Sequence, residues 1–246
     1  MIKIAVYKVL IGDYDELTDD IFRYQKNDSE FVYDYYFISD RRLSLPAPWK
    51  LIIISKQFDS PAIENRFYKM GVPSIFDEYN YTIYLDSNIA INNDLNSLIA
   101  NVVQDNHYLY AYPHFKNTTI EEEITNCFVF SRIKYREMLD AKKYLHDDLK
   151  TRVGFECGVL VRKTGIPLIN ELSQTWFNLY LNNIKRDQFY FSIALNKHGM
   201  TCHSLGENTI RSDDGVFRLY AHKNRLTILE KIYIAIKMRL YKIIKK

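Results

Sequence analysis

The residues of this chain best suited to chemistry are charged groups set at the ends of apolar runs. Thr82–Leu85 (TIYL) is a short buried-type strand pattern, and it stops abruptly in Asp86-Ser87-Asn88. A carboxylate just past the C-terminal end of such a strand sits where open α/β sheets bind ligands. There it can hold a divalent cation against phosphate oxygens, which are hard ligands suited to Mg²⁺ or Mn²⁺. The same three residues are also ordinary turn formers. Upstream, Arg66 and Lys69 are three apart in a helical pattern and therefore share a face. Two cations at that spacing suit a diphosphate, and equally suit a solvated helix face. Downstream, Arg186-Asp187-Gln188 opens the aromatic run Phe189-Tyr190-Phe191. Asp187 there is either a helix-start carboxylate or an oxygen donor for sugar hydroxyls and a cationic centre. His222-Lys223 offers a late imidazole and cation. The other five histidines show no ligand-type spacing, so His222 needs partners from elsewhere to bind metal.

These groups need a scaffold. Residues 2–11, 31–38, 51–55, 82–85, 108–111 and 159–162 read as strands, being rich in β-branched and aromatic residues. Residues 15–24, 63–70, 95–104, 166–182 and 186–197 read as helices, and 118–150 is charged and largely helical. Strands alternating with helices predict an α/β layered sheet. A chain of 246 residues has enough apolar content, 47%, for one sizeable core and too little length for two ordinary domains with linkers. Cys127, Cys157 and Cys202 are odd in number and far apart, which argues against a disulfide framework or structural zinc and for a reducing, cytoplasmic setting. The opening MIKIAVYKVLIGDYD has neither the apolar core nor the cleavage site of a secretion signal, and no run approaches a membrane span.

The net charge of +3 is unevenly placed. Residues 225–246 carry seven basic side chains against Glu230, a sum of +6, which leaves the other 224 residues at −3. A slightly acidic body is not a nucleic-acid-binding surface. In the tail, Leu229, Ile232, Tyr233, Ile236, Leu240, Ile243 and Ile244 recur at helical spacing, with Lys231, Arg239, Lys242, Lys245 and Lys246 opposite. Such a helix either lies on an anionic membrane surface or packs its apolar stripe on its own domain. The division expected is 1–224 for the main domain and 225–246 for a basic amphipathic tail.

Taken in order, Gly12-Asp13, Ile38-Ser39-Asp40, Arg66/Lys69, Leu85-Asp86-Ser87-Asn88, Glu156-Cys157-Gly158, Arg186-Asp187-Gln188 and His222-Lys223 resemble a glycosyltransferase of the GT-A superfamily. The resemblance spans roughly residues 3–223. It is nearest to the domain-of-unknown-function 616 family and more distant from family 8 galactosyl and glucosyl transferases. Tyr112-Pro113-His114 and the acidic Glu121–Glu123 resemble further segments of that family.

The resemblance implies a single GT-A-type, Rossmann-like mixed sheet flanked by helices. Tyr7 and Asp40 would line the nucleobase pocket of a UDP-sugar donor, while Arg66, Lys69 and Lys223 face its phosphates. Asp86 and Asn88 would hold Mn²⁺ or Mg²⁺ with His222. Glu156, Asp187 and Gln188 would surround the anomeric carbon and the acceptor. Asn88 stands where the family has a second carboxylate, which weakens the metal site. The activity implied is retaining sugar transfer to a membrane-associated glycan or glycolipid, in surface polysaccharide or lipopolysaccharide synthesis. The expected location is cytoplasmic, peripheral on the inner face of the cell membrane. A metal-dependent hydrolase of a membrane lipid and a non-catalytic nucleotide-sugar-binding scaffold are the alternatives. The transferase reading requires Asp86, the Arg66/Lys69 pair, Gln188 and His222 to share one crevice.

Overall fold

In a computed structural model of the chain, the structure describes residues 1–13, 17, 19–115, 118–221 and 227–244. The first half lays down β1 (Ile2–Leu10), β2 (Phe31–Ser39), β3 (Lys50–Ile53), α1 (Pro61–Met70), β4 (Tyr81–Leu85), β5 (Ile89–Ile91), α2 (Asn96–Asp105) and β6 (Leu109–Pro113). Helices α3 (Ile120–Val129), α4 (Tyr135–Lys142) and α5 (Asp147–Lys150) follow, then β7 (Phe155–Lys163), α6 (Pro167–Asn182) and α7 (Asp187–Lys197). The chain closes with β8 (His203–Ser204), β9 (Phe217–Leu219) and α8 (Ile228–Ile244).

Seven strands form one mixed sheet in the order β3-β2-β1-β4-β7-β6-β8. The pairs β2–β3, β1–β2 and β1–β4 are parallel, whereas β7 runs antiparallel to both β4 and β6. The α/β class expected from the alternating pattern is therefore present. Helices cover both faces, so β1 is buried on both: Ala5, Tyr7 and Val9 enter one core, and Ile4, Val6 and Leu10 the other. The first core is completed by α1, α3, α4, α6 and α7, with Trp176 and Phe191 rings 4.7 Å apart. The second is closed by Leu98, Ile99 and Val102 of α2 with Phe22 and Trp49.

Two expectations are corrected and one, the helical 118–150 segment, is borne out in finer detail. The helix expected over 15–24 is, among the described residues, only a 3-10 turn at Asp19–Phe22, whose carbonyl edge is bonded to side chains of other elements. The largely helical 118–150 segment divides into three short helices, because the Ser131-Arg132 turn and the Tyr144–His146 connection interrupt it. A second, two-stranded sheet joins β5 to β9, pairing Ile89 with Leu219 and Ile91 with Phe217. Strands of two or three residues leave too little periodicity to be read in advance.

Candidate functional site

Strand β1 connects outward to β2 and β3 on one side, and β4 then returns to its other flank. That reversal, between β1 and β4, is the point where a doubly wound sheet opens a crevice beyond its strand ends. A cavity of about 480 Å³ lies there. Val9, Leu10 and Ile11 form its β1 wall and Pro61 and Ala62 its α1 wall, while Arg66, Asp86, Ser87 and Asn88 supply polar groups.

Each charged group reaches the crevice for a local reason. Pro61 occupies the first turn of α1, and the buried Glu64 accepts from the backbone N–H groups of Gln57 and Phe58 at 2.8 and 2.7 Å, which fixes how the helix begins. Its next turns then aim Arg66 and Lys69 at the strand ends. Lys69 Nζ stands 3.1 Å from Asp86 Oδ1 and 2.8 Å from Asp187 Oδ2. Arg66 Nε lies 3.0 Å from the same Asp187 oxygen. Tyr84, two residues before Asp86 and on the same strand face, donates its hydroxyl to Asp86 Oδ1 at 2.7 Å. Asp187 opens α7, and its backbone carbonyl accepts from the buried Trp176 indole at 2.8 Å, so the α6 core holds the helix start in place.

The result is a ring of two cations and two carboxylates. Burial pushes the Asp187 carboxyl up, but Lys69 and Arg66 override it and hold the group well below the usual carboxylate range. Burial likewise lowers Lys69, and Asp187 with Asp86 overrides that and raises it. Both groups are therefore ionised at neutral pH. Asp86 is positioned by its backbone too, its N–H donating to Gly158 O at 2.8 Å. Gly158 is needed there: a Cβ at that position would lie 2.9 Å from Ile89 Cδ1 and 3.3 Å from Asp86 Oδ2.

Of the residues singled out in the sequence, Arg66, Lys69, Asp86 and Asp187 come together, with Gln188 beside Asp187. Asn88 lines the cavity and donates to Tyr220 O at 2.7 Å, and its own carbonyl accepts from Tyr220 N–H at 2.8 Å. This pairing binds the Asp86 turn to the end of β9. Glu156 sits on β7, paired with Arg211 Nη1 at 2.9 Å and accepting from Phe115 N–H at 3.3 Å. His222 and Lys223 lie outside the described residues.

Two placements differ from expectation. Tyr7 is fully buried against Phe76 and Tyr84, with its hydroxyl near Tyr68 O and Gly71 O and accepting from Arg162. It faces the core instead of the cavity: it shares the α1-side face of β1 with Val9 but lies two residues further from the strand end, packed on Phe76 and Tyr84. Asp40 is paired with Lys56 Nζ at 2.9 Å and accepts from Gly12 N–H at 3.1 Å, away from the cavity lining. It fastens the β1 and β2 ends together.

Among the described residues, no group of three or more His, Cys, Asp or Glu side chains is placed to hold an ion. Asp86 Oδ1 is engaged by Lys69 and Tyr84, and the Asn88 amide nitrogen by Tyr220.

Several contributors carry no sequence signal of their own. Tyr84 and Arg162 look like strand residues, and Asn65, which lines the cavity and donates to Val9 O at 3.0 Å, like helix surface. Arg162 is buried in β7 and donates to Lys69 O at 2.6 Å and Gly71 O at 3.3 Å, clamping the C-terminal end of α1. Glu123, inside the acidic segment of α3, is buried with Oε2 lacking a hydrogen-bond partner. Burial, with Asp187 and Glu156 nearby, pushes its carboxyl up to about 8. No protein-family model matches the chain, and no curated protein matches it.

Proposed function

We propose that the chain is a glycosyltransferase that moves a sugar, with retention of anomeric configuration, from a nucleoside diphosphate donor of UDP type to a membrane-associated glycan or glycolipid. The observation that carries this reading is the Arg66–Lys69–Asp86–Asp187 ring at the β1/β4 switch point, opening on a cavity large enough for a nucleotide sugar. Sugar transfer needs cations where the diphosphate departs and carboxylate or amide oxygens where positive charge develops. Arg66 lines the cavity and suits the first task. Asp187, kept ionised, and Gln188 suit the second.

In the step proposed, the bond from the anomeric carbon to the leaving phosphate oxygen breaks. A bond to the acceptor oxygen forms on the same face, and the acceptor proton passes to the departing phosphate. Lys69 fixes the spacing of Asp86 and Asp187, so the donor enters a preset frame. No bond made or broken in this step is assigned to the Mn²⁺ or Mg²⁺ that the resemblance implies. Tyr220 pairs with Asn88 two positions before His222 in sequence, which fits a late-chain contribution to the same crevice.

No helix among the described residues is long and apolar enough to cross a membrane. A cytoplasmic protein held on the inner face of the cell membrane, building surface polysaccharide or lipopolysaccharide, fits the basic tail.

Thermal-shift screening against UDP-, GDP- and CMP-sugars, with and without Mn²⁺, tests the reading. A UDP-selective stabilisation is expected, and no shift with any nucleotide sugar overturns it. Replacing Gln188 by Ala is expected to leave donor binding near normal and to cut turnover at least ~100-fold. Unchanged turnover removes Gln188 from the mechanism.

A further inference from the structure

Helix α8 does not bury the stripe that its sequence pattern marks. Ile228, Leu229, Ile232, Tyr233 and Ile236 are 75, 79, 52, 58 and 52% exposed. At 100° per residue they span an arc of about 140°. The helix is held to the body by the adjoining arc. There Ile234 is buried, and Lys237 Nζ donates to Phe128 O at 2.5 Å and lies 3.9 Å from the Phe128 ring centroid. The Tyr241 ring also meets Phe128, at 6.1 Å. Lys237 is thus spent on docking, and the apolar arc is left to solvent.

Phe128 has a second aromatic neighbour. Tyr135, at the start of α4, stands 5.5 Å from it and is 57% exposed, and Phe130 and Leu139 close by are exposed as well. The same segment is basic: from Arg132 to Lys143 five cations face Glu137 and Asp140, a net +3. Arg132, Lys134 and Arg136 are exposed and form no ion pair among the described residues, although Arg132 stands 5.9 Å from the Phe130 ring centroid and Arg136 helps to lower the Asp140 carboxyl. Exposed aromatic and aliphatic side chains ringed by exposed cations in net excess match an anionic lipid interface, apolar groups entering the headgroup boundary and cations meeting phosphate.

We infer that α8 and the α3–α4 turn form one composite surface that docks on an anionic bilayer. Arg186 Nη2 approaches Arg132 O at 3.4 Å, so this surface adjoins the residue preceding Asp187. A lipid-linked acceptor then enters the crevice from its Asp187 end. The inference rests on the peripheral location proposed above, and it does not depend on the identity of the donor.

The test is sedimentation of the full chain with phosphatidylcholine vesicles, with and without phosphatidylglycerol. The parent is expected to bind only the anionic vesicles. Ile232→Ser/Ile236→Ser in α8 and Tyr135→Ser/Leu139→Ser in α4 are each expected to weaken partitioning at least about tenfold. Circular dichroism and gel filtration confirm that both variants remain folded. An α4 variant that binds like the parent while the α8 variant does not overturns the composite surface alone. A parent that ignores anionic vesicles overturns the peripheral reading itself. If instead the parent is a dimer that either variant dissociates, the patch is a self-association face and the lipid assignment fails. Donor-induced thermal shifts are independent of all three outcomes.

Discussion

The charge ring sets how single substitutions act. Lys69 is only 3% exposed at its side chain and is neutralised by two carboxylates, one of which also faces Arg66. Removing one partner from a buried charge group leaves the other uncompensated, at a cost of about 3–5 kcal/mol. Asp187→Ala is therefore expected to lower stability by about that amount in urea unfolding. A loss below about 1 kcal/mol would show that solvent already screens the pair. Glu123 acts in the opposite sense. Its folded carboxyl, near 8, is raised above its unfolded value, so it contributes most stability at low pH and loses it as pH rises toward 8. Glu123→Gln removes that titration. The stability of the parent relative to this variant is expected to fall between pH 5 and 8, and parallel pH profiles would refute the assignment.

The elements that aim the ring are held by contacts no short motif encodes. Arg162, in β7, forks onto Lys69 O and Gly71 O and also reaches Tyr7 Oη at 3.1 Å. It meets the negative end of the α1 dipole, where a cation is favoured. Replacing Arg162 by Met removes the donor to Lys69 O and leaves Gly71 O with the Tyr7 hydroxyl alone. A destabilisation of about 2–4 kcal/mol is expected, with faster amide exchange concentrated in α1. Lys at 162 does not restore the fork geometry and is expected to recover less than half of the loss. Uniform exchange across the fold would show that Arg162 is a general core residue. This clamp explains what the sequence leaves unread. Asp86 is legible because a carboxylate ends an apolar strand run, and Arg66 with Lys69 because helical spacing pairs them. Asp187 is legible because it opens an aromatic helix. Tyr7 and Arg162 are long-range partners, 155 positions apart, joined only when β1, β4 and β7 align. Parity on β1 decides that Tyr7 faces α1, and a lone strand buried on both faces shows no parity to read. The same limit hides β5 and β9, whose pairing brings Tyr220 to Asn88.

Across the whole molecule, two cores meet on one sheet, and the second contains a charge. Lys8 is fully buried beneath the Asp86 turn, donating to Ile21 O at 2.7 Å and Ile89 O at 2.5 Å, with its ammonium 5.4 Å from the Trp49 ring centroid. It joins the turn after Asp86 to the 3-10 segment at Asp19–Phe22. Burial pulls its pKa down to about 7, against which Asp86 pushes upward. In the unfolded chain the amine titrates near its ordinary value of about 10.4. Between those values the unfolded state binds one proton more than the folded state, so stability contributed at this site rises with pH. Lys8→Met abolishes the titration while keeping most of the side-chain volume. Urea unfolding from pH 7 to 10 is expected to show the parent gaining stability relative to Lys8→Met. Equal slopes for the two proteins would mean that the amine stays charged throughout, held by the two carbonyls and the field of Asp86. The sheet would then carry a permanent cation beneath the Asp86 turn, adding a fixed positive charge behind the ring that Arg66 and Lys69 complete.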